Sequence, residues 1–242
     1  MSWVNLASWL PATEAEGPGL RAALWVQGCQ FLCPGCCNPN FLRITPRELV
    51  TSESLLNRLV AAKAQFDIEG LTLLGGEPML QAQGLSELAA GAHKLGLSVM
   101  VFTGYTLAEL RADPLPGTDA LLSHTDVLVD GRYVAELRET RRAWAGSSNQ
   151  VFHYLSDRYD SSIEQTNDGQ QRVEVRLRND GRVDVNGWPA DSLTRRRTKA
   201  HRTVLIGPGA VFVMPGGRQP GRTVANRHPR PHGGVAGDCV RT

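Results

Sequence analysis

A chain of 242 residues with 41% hydrophobic and 21% charged residues has the make-up of a soluble globular protein with a substantial core. Its longest apolar runs, such as Leu97 to Phe102, are of strand length, which excludes a membrane span, and Met1 to Leu6 lacks the basic start and apolar centre of a signal peptide. The formal net charge of +2 hides a basic end in which Arg195, Arg196, Arg197, Lys199 and the later arginines face only Asp238.

In chain order, Leu20 to Gln27 reads as a buried strand that ends at Gly28 and delivers a loop holding Cys29, Cys33, Cys36 and Cys37. Thr45 and Pro46 have the form of a helix cap and first helical position, and Leu49, Leu55, Leu56, Leu59 and Val60 recur at helical spacing toward Phe66. Leu71 to Leu74 is a second buried strand running into Gly75-Gly76-Glu77-Pro78. A helix from Leu80 to Leu95 then closes at Gly96. Leu97 to Phe102 is a third strand, ending in Thr103-Gly104-Tyr105, and a further helix starts near Thr106. Asp126 to Asp130 is a fourth strand, with Gly131 in the turn beyond it.

This alternation predicts an α/β fold whose parallel strands curl into an incomplete, partial TIM-type βα barrel. After Gln150 the period changes to two: Arg172 to Arg178 and Arg182 to Val185 flank Asn179-Asp180-Gly181 as a hairpin. Thr203 to Ile206 and Ala210 to Val213 suggest another hairpin around Gly207-Pro208-Gly209. The expected organisation is a barrel domain over 1–155, a β-rich extension over 156–213 and a basic Gly/Pro/Arg-rich tail over 214–242 in which order is not expected. That tail could dock on nucleic acid or an acidic protein surface, but no aromatic residues interleave with its arginines. A solvated extension is the preferred reading.

The cysteines carry the chemistry. Five is an odd count, four of them crowd between Cys29 and Cys37, and a chain of this length needs no staples, so a disulfide framework fits poorly. Thiolates select zinc, copper(I) or iron–sulfur clusters. Structural zinc wants four ligands, usually in two separated pairs, and no second pair follows. Spacing alone favours an iron–sulfur cluster on three cysteines with one iron open, and leaves zinc and an inert thiol group as alternatives. Reduced thiols point to the cytoplasm. Cys239 and the six histidines form no metal-ligand spacing.

Cys29-x-x-x-Cys33-x-x-Cys36 after one strand, followed by Gly75-Gly76-Glu77-Pro78 after the next, resembles the radical S-adenosylmethionine enzymes. The flanks narrow the likeness: Glu16-Gly17-Pro18-Gly19-Leu20-Arg21, the approach Trp25-Val26-Gln27-Gly28, Cys33-Pro34-Gly35-Cys36, Asn38-Pro39, Phe102 to Tyr105, Asp126 to Gly131 and Gly146 to Gln150 resemble the activating enzymes of anaerobic (class III) ribonucleotide reductase. The likeness runs from about residue 14 to about residue 155. It implies a [4Fe-4S] cluster on Cys29, Cys33 and Cys36 whose fourth iron is chelated by S-adenosylmethionine. Reductive cleavage to methionine and a 5′-deoxyadenosyl radical then produces a glycyl radical on a large partner enzyme.

The same resemblance implies that Gly75, Gly76, Glu77 and Pro78 receive the methionine amino group. It makes Thr103, Gly104 and Asp130 candidate cofactor contacts, with Asn149 a weaker one. Reduced flavodoxin or a ferredoxin-type protein is the implied electron donor, and no membrane or nucleic-acid partner is expected. Two departures stand out: Gly35 occupies a position that is aromatic in many radical enzymes, and Cys37 one often filled by His or Tyr in the activases. A maturase of another protein or peptide, or a non-catalytic iron–sulfur, zinc or redox-sensing module, remains the alternative.

Overall fold

The computed structural model describes residues 2–165, 173–177, 183–187 and 211–214. Its centre is four parallel strands: β2 (Arg21–Val26), β4 (Gly70–Gly75), β5 (Ser98–Phe102) and β6 (Val127–Asp130) lie side by side in that order, with Trp25 opposite Leu74, Leu71 opposite Val99 and Val101 opposite Leu128. Every residue of β2 is buried, as expected for a strand covered on both faces.

One face packs against α1 (Ser52–Phe66), α2 (Ala82–Lys94) and α4 (Thr118–Leu122), where Leu24, Leu71, Leu73 and Val99 meet Leu55, Leu59, Leu85, Leu88 and Leu121. The alternate residues, Ala23, Trp25, Leu74, Met100, Val127 and Val129, form the other face, and the short helix α3 (Leu107–Ala112) follows β5. All four parallel strands release their chain at the same rim, where α/β folds place ligands.

The outer strands correct the expectation of a wholly parallel sheet. β1 (Trp3–Thr13) runs antiparallel to β2 and carries β3 (Glu48–Thr51) on its far edge, while β7 (Val151–Tyr154) runs antiparallel to β6, giving the order β3-β1-β2-β4-β5-β6-β7. The expected helix start at Thr45 is corrected too. Glu48 to Thr51 pair with β1, Leu49 is 58% exposed, and the helix begins at Ser52, where the Thr51 hydroxyl accepts the Ser54 N–H at 3.1 Å. The predicted start near Thr106 holds: Thr106 and Glu109 make a reciprocal capping box.

One buried cation ties the sheet together. Arg21 is fully buried and donates to the Thr72 and Ser98 hydroxyls at 2.8 and 3.0 Å, the Tyr159 hydroxyl at 3.3 Å, and the carbonyls of Pro18 and Leu71 at 3.0 and 2.9 Å. A β-carbon at Gly70 would stand 2.3 Å from its guanidinium, so the glycine makes room for it.

Beyond residue 165, β8 (Val173–Leu177) pairs antiparallel with β9 (Val183–Gly187), as the alternation predicts, and on its other side with β10 (Val211–Met214). This second sheet is bonded to the first. Glu174 accepts the Thr13 hydroxyl at 2.9 Å and the Glu14 N–H at 2.7 Å, Arg176 donates to the Ala12 carbonyl at 2.6 Å, and the Gly187 N–H reaches Glu16 at 2.8 Å. The turn Asn179-Asp180-Gly181, the strand Thr203–Ile206 with its Gly207-Pro208-Gly209 turn, the tail after Met214 and Cys239 lie outside the described residues. No helix among the described residues is long and apolar enough to cross a membrane.

Candidate active site

The cysteine loop turns through positive φ at Gly28, Leu32 and Gly35 and is closed at its base. Gly28, with φ of 103°, turns the chain off β2, the Gly28 and Cys29 N–H groups donate to the Phe41 and Leu42 carbonyls at 2.8 and 3.0 Å, and the Gln27 side chain donates to the Arg43 carbonyl at 2.7 Å. Within the loop, Cys33-Pro34-Gly35-Cys36 is a tight turn closed by the Cys36 N–H on the Cys33 carbonyl at 3.1 Å. Proline presets the second position, and Gly35 supplies the positive φ of 76° that the third requires. Cys33 and Cys36 thereby reach the cleft into which Cys29, buried at the end of β2, also opens.

The opposite wall comes from β4. Gly75 turns at φ of 113°, the Gly76 N–H donates to the Val26 carbonyl and the Glu77 N–H to the Gly28 carbonyl, both at 2.8 Å. The Glu77 carboxylate is buried and accepts three donors: the Met79 N–H at 2.9 Å, the Thr103 hydroxyl at 2.8 Å and the Gly104 N–H at 2.8 Å. Burial pushes this carboxyl up to about 7 against the pull of those bonds. Gly104 lets Phe31 lie against the backbone, since a β-carbon there would meet the ring at 2.5 Å.

Between the walls lies an open cleft of about 580 Å³. Of the residues singled out in the sequence, Cys29, Cys33, Cys36, Gly75, Gly76, Glu77, Thr103 and Gly104 all line it. Pro78 does not: it is buried below as the first residue of a 3-10 turn. Asp130 also falls outside the lining. Its carboxylate accepts the Leu107 N–H at 2.6 Å and faces His153 Nε2 at 2.8 Å, holding the start of α3 to the β6–β7 edge, and it is Gly131 beside it that reaches the cleft. Asn149 donates its side-chain N–H to the Arg132 carbonyl at 2.8 Å.

Phe31, Tyr133 and Gln150 also line the cleft and were not identified as site residues from the sequence. Gln150 bridges the Gly146 N–H and the Gly131 carbonyl, at 2.7 and 3.0 Å, a role that a distant loop partner gives it and that local sequence does not mark.

The donor set fits an iron–sulfur cluster. Three thiols on one short loop are soft ligands, and the facing wall is free of any further histidine or cysteine ligand among the described residues. Among the described residues no three His, Cys, Asp or Glu side chains are gathered about a single point as a one-ion site would have them. Burial pushes the Cys29 thiol up. Cys36 is drawn down to about 6, chiefly by a hydrogen bond from the neighbouring Cys37 thiol, with the Asn38 N–H also donating at 3.4 Å. Cys37 lines the same cleft.

Residues 15–153 match the family model described as a 4Fe-4S single cluster domain. The anaerobic ribonucleoside-triphosphate reductase-activating protein of Salmonella typhimurium is 35% identical over 152 residues, covering 60% of this chain and 95% of that relative. The chain belongs to this family. The Escherichia coli reductase-activating protein is 32% identical over 160 residues, covering 63% of this chain and 99% of its own length, and that of bacteriophage T4 is 30% identical over 144 residues, covering 58% and 87%. A crystal structure of QueE from Escherichia coli shows only a slight likeness, with a TM-score of 0.36 and 18% identity over 43% of this chain and 53% of that one. The second sheet, which begins at Val173, lies beyond the residues 15–153 that the family model matches.

Proposed function

We propose that this chain is a radical S-adenosylmethionine enzyme that installs a glycyl radical on an anaerobic ribonucleotide reductase. The observation that carries the reading is the facing of two walls across one cleft: Cys29, Cys33 and Cys36 on the loop after β2, and Gly75 to Glu77 on the turn after β4. When bound, a [4Fe-4S] cluster with S-adenosylmethionine supplies the reductive cleavage and the hydrogen-abstracting species.

The chain's own residues do the rest. Cys29, Cys33 and Cys36 hold the cluster. The carbonyls of Gly75 and Gly76 would accept from the methionine ammonium, while the Glu77 carboxylate, with three donors already on it, holds the turn and the neighbouring strand end in place. Thr103 and Gly104 are kept in place by that same carboxylate and contribute the third side of the cofactor site. Phe31 and Tyr133 supply apolar surface that limits water at the mouth.

The sheet is read as an open arc of a βα barrel, with the chain divided into 1–155, 156–213 and 214–242. The electron comes from reduced flavodoxin or a ferredoxin-type protein, and the setting is the cytoplasm. The deciding experiment is anaerobic reconstitution with iron and sulfide, followed by assay for methionine and 5′-deoxyadenosine under reduction and for a glycyl signal on added reductase. Absence of both cleavage products would sink the radical chemistry. Cys33→Ala should lose its iron while Cys37→Ala keeps it.

A second reading changes only the target. The second sheet, bonded to Thr13, Glu14 and Glu16, lies past the residues 15–153 matched by the family model, which favours a different protein substrate. Cleavage of S-adenosylmethionine without any glycyl signal on the reductase would favour it.

A further inference from the structure

Leu32 stands in two unfavourable conditions at once. Its φ of 49° puts a bulky side chain in the left-handed region that ordinarily takes glycine or asparagine, and 62% of its surface is exposed. Glycine would make the same turn between Cys29 and Cys33 without strain, so the turn does not account for a leucine. Packing does not account for it either. The inward position on this loop is filled by Phe31, whose ring meets Tyr105 edge-on at 4.8 Å and carries the Arg132 guanidinium at 4.6 Å, while the Leu32 side chain is absent from the cleft lining.

The neighbourhood carries further exposed apolar residues, with the charged Arg132 and Glu136 exposed among them. Pro34 and Gly35 follow on the same loop and are exposed. A β-carbon at Gly35 would lie 3.5 Å from the Tyr133 ring and 3.7 Å from the Ala135 β-carbon, so this loop rests on the segment that follows β6. That segment continues through a 3-10 turn, Ala135–Leu137, in which Leu137 is 45% exposed. Two touching segments thus present Leu32, Pro34, Ala135 and Leu137 to solvent beside a cleft whose lining includes Cys33, Cys36 and Tyr133.

We propose that this apolar rim, with Leu32 at its apex, is the surface on which the ribonucleotide reductase docks. The inference rests on the function proposed above. A reaction between two proteins at the floor of this cleft forces the partner's surface across the mouth, so exposed apolar atoms continuous with that mouth are the ones it covers. A small substrate would enter the cleft and leave the outer rim untouched. Exposed strain at Leu32 is then retained for a contact that the free chain does not make.

The test uses the full-length, reconstituted protein and the anaerobic ribonucleotide reductase of the same organism. Leu32→Asn, which tolerates the left-handed backbone but removes the apolar contact, and Leu137→Ser, on the other segment, are compared with wild type. Expected is a rise of about tenfold in the reductase concentration giving half-maximal glycyl signal. Iron content and 5′-deoxyadenosine formation without reductase should stay unchanged, and Leu32→Asn should melt no lower than wild type. Unchanged half-saturation in both variants overturns the proposal. So does a parallel loss of iron and uncoupled cleavage, which would give Leu32 a role in holding the loop instead. A wild-type chain that cleaves S-adenosylmethionine but yields no glycyl signal overturns the proposed function, and the docking surface with it.

Discussion

Gly76 and Gly28 meet backbone to backbone: a β-carbon on Gly76 would lie 2.3 Å from the Gly28 carbonyl oxygen, the same oxygen that accepts the Glu77 N–H at 2.8 Å. The contact locks the turn after β4 to the hinge that starts the cysteine loop. Because the obstructing atom is main chain, no side-chain rotation relieves it. Gly76→Ala should therefore destabilise the fold by about 1–3 kcal/mol and separate the two walls. Weaker S-adenosylmethionine binding at near-normal iron content, read from the change in the cluster spectrum on titration, is the expected result; wild-type affinity would show that the close approach is dispensable.

Glu77 offers four lone-pair sites and receives only donors, which suits a carboxylate and not an amide. Glu77→Gln must point its NH₂ at one of the donors from Met79, Thr103 or Gly104, leaving a buried donor pair facing each other. A loss of about 1–3 kcal/mol in denaturant unfolding is expected. A neutral result would mean that the carboxylate is not engaged as described.

The parallel core was legible because its strands are buried on both faces and alternate with helices whose apolar spacing is regular. Leu71 to Leu74 and Leu97 to Phe102 read as continuous apolar runs for that reason. β1 was not legible. Its pairing with β2 slips between Leu6 and Ser8 and again between Leu10 and Thr13, which breaks the period-two pattern that marks a strand. β3 was hidden by Thr45 and Pro46, which imitate a helix start in a segment whose strand is defined only by its partner, β1.

The site divides the same way. Cys29, Cys33, Cys36 and Gly75 to Glu77 carry their chemistry in residue type and spacing, and the fold brings them to one cleft. Asp130 sits at the right rim, yet a carboxylate at a strand end serves whichever donor comes near, and here these are Leu107 and His153. Arg21 gave no sign of its burial, because its acceptors on residues 18, 71, 72, 98 and 159 converge only after the sheet has formed.

Burial lowers the proton affinity of the Arg21 guanidinium, and its stability rests on the oxygens around it. Arg21→Met fills a comparable volume but takes the buried donor from the Pro18 and Leu71 carbonyls and from three hydroxyls, of which Thr72 keeps its bond to the Glu16 carbonyl and Ser98 and Tyr159 keep each other. A cost of about 3 kcal/mol or more is expected, with a melting temperature lower by roughly 10 °C. Arg21→Lys should recover little, since an ammonium cannot span the same acceptors. Melting within a few degrees of wild type for Arg21→Met would contradict the account.

Glu139 supplies the pH-dependent contribution most easily isolated from the cysteines. Burial raises its carboxyl, but the Arg141 and Thr140 N–H groups and the Arg142 guanidinium, bonded at 2.8, 2.8 and 2.7 Å, outweigh that and hold it down at about 2. A folded value below the unfolded one means that the stabilisation is present above about pH 4.5 and is lost as pH falls toward 2. Arg142 also donates to the Ser148 and Gln150 carbonyls, so the clamp steadies the loop that brings Gln150 to the cleft. Glu139→Gln should lower stability by about 1.5–3 kcal/mol at pH 6 and by much less at pH 3. An equal loss at both values would remove the carboxylate from the explanation.

The junction between the two sheets buries Glu174 and leaves Glu16 half-buried near it, with Arg176 as the cation beside them. Burial raises the Glu16 carboxyl, Glu174 adds to that rise, and Arg176 opposes it. Arg176 contacts Glu174 and donates to Asn186 and to the Ala12 carbonyl, so its removal strips a buried carboxylate of its counter-charge and a carbonyl of its donor. Breaking such a set by deleting one member costs more than the set contributes as a whole, on the order of 3 kcal/mol. The loss should be local. In Arg176→Ala, hydrogen exchange should accelerate in residues 12–16 and in β8 and β9 while α1 and α2 keep wild-type protection and the iron content is unchanged. Unaltered exchange across β8 would mean that the second sheet is held by other contacts, and faster exchange throughout α1 and α2 would mean that the junction belongs to the global folding unit.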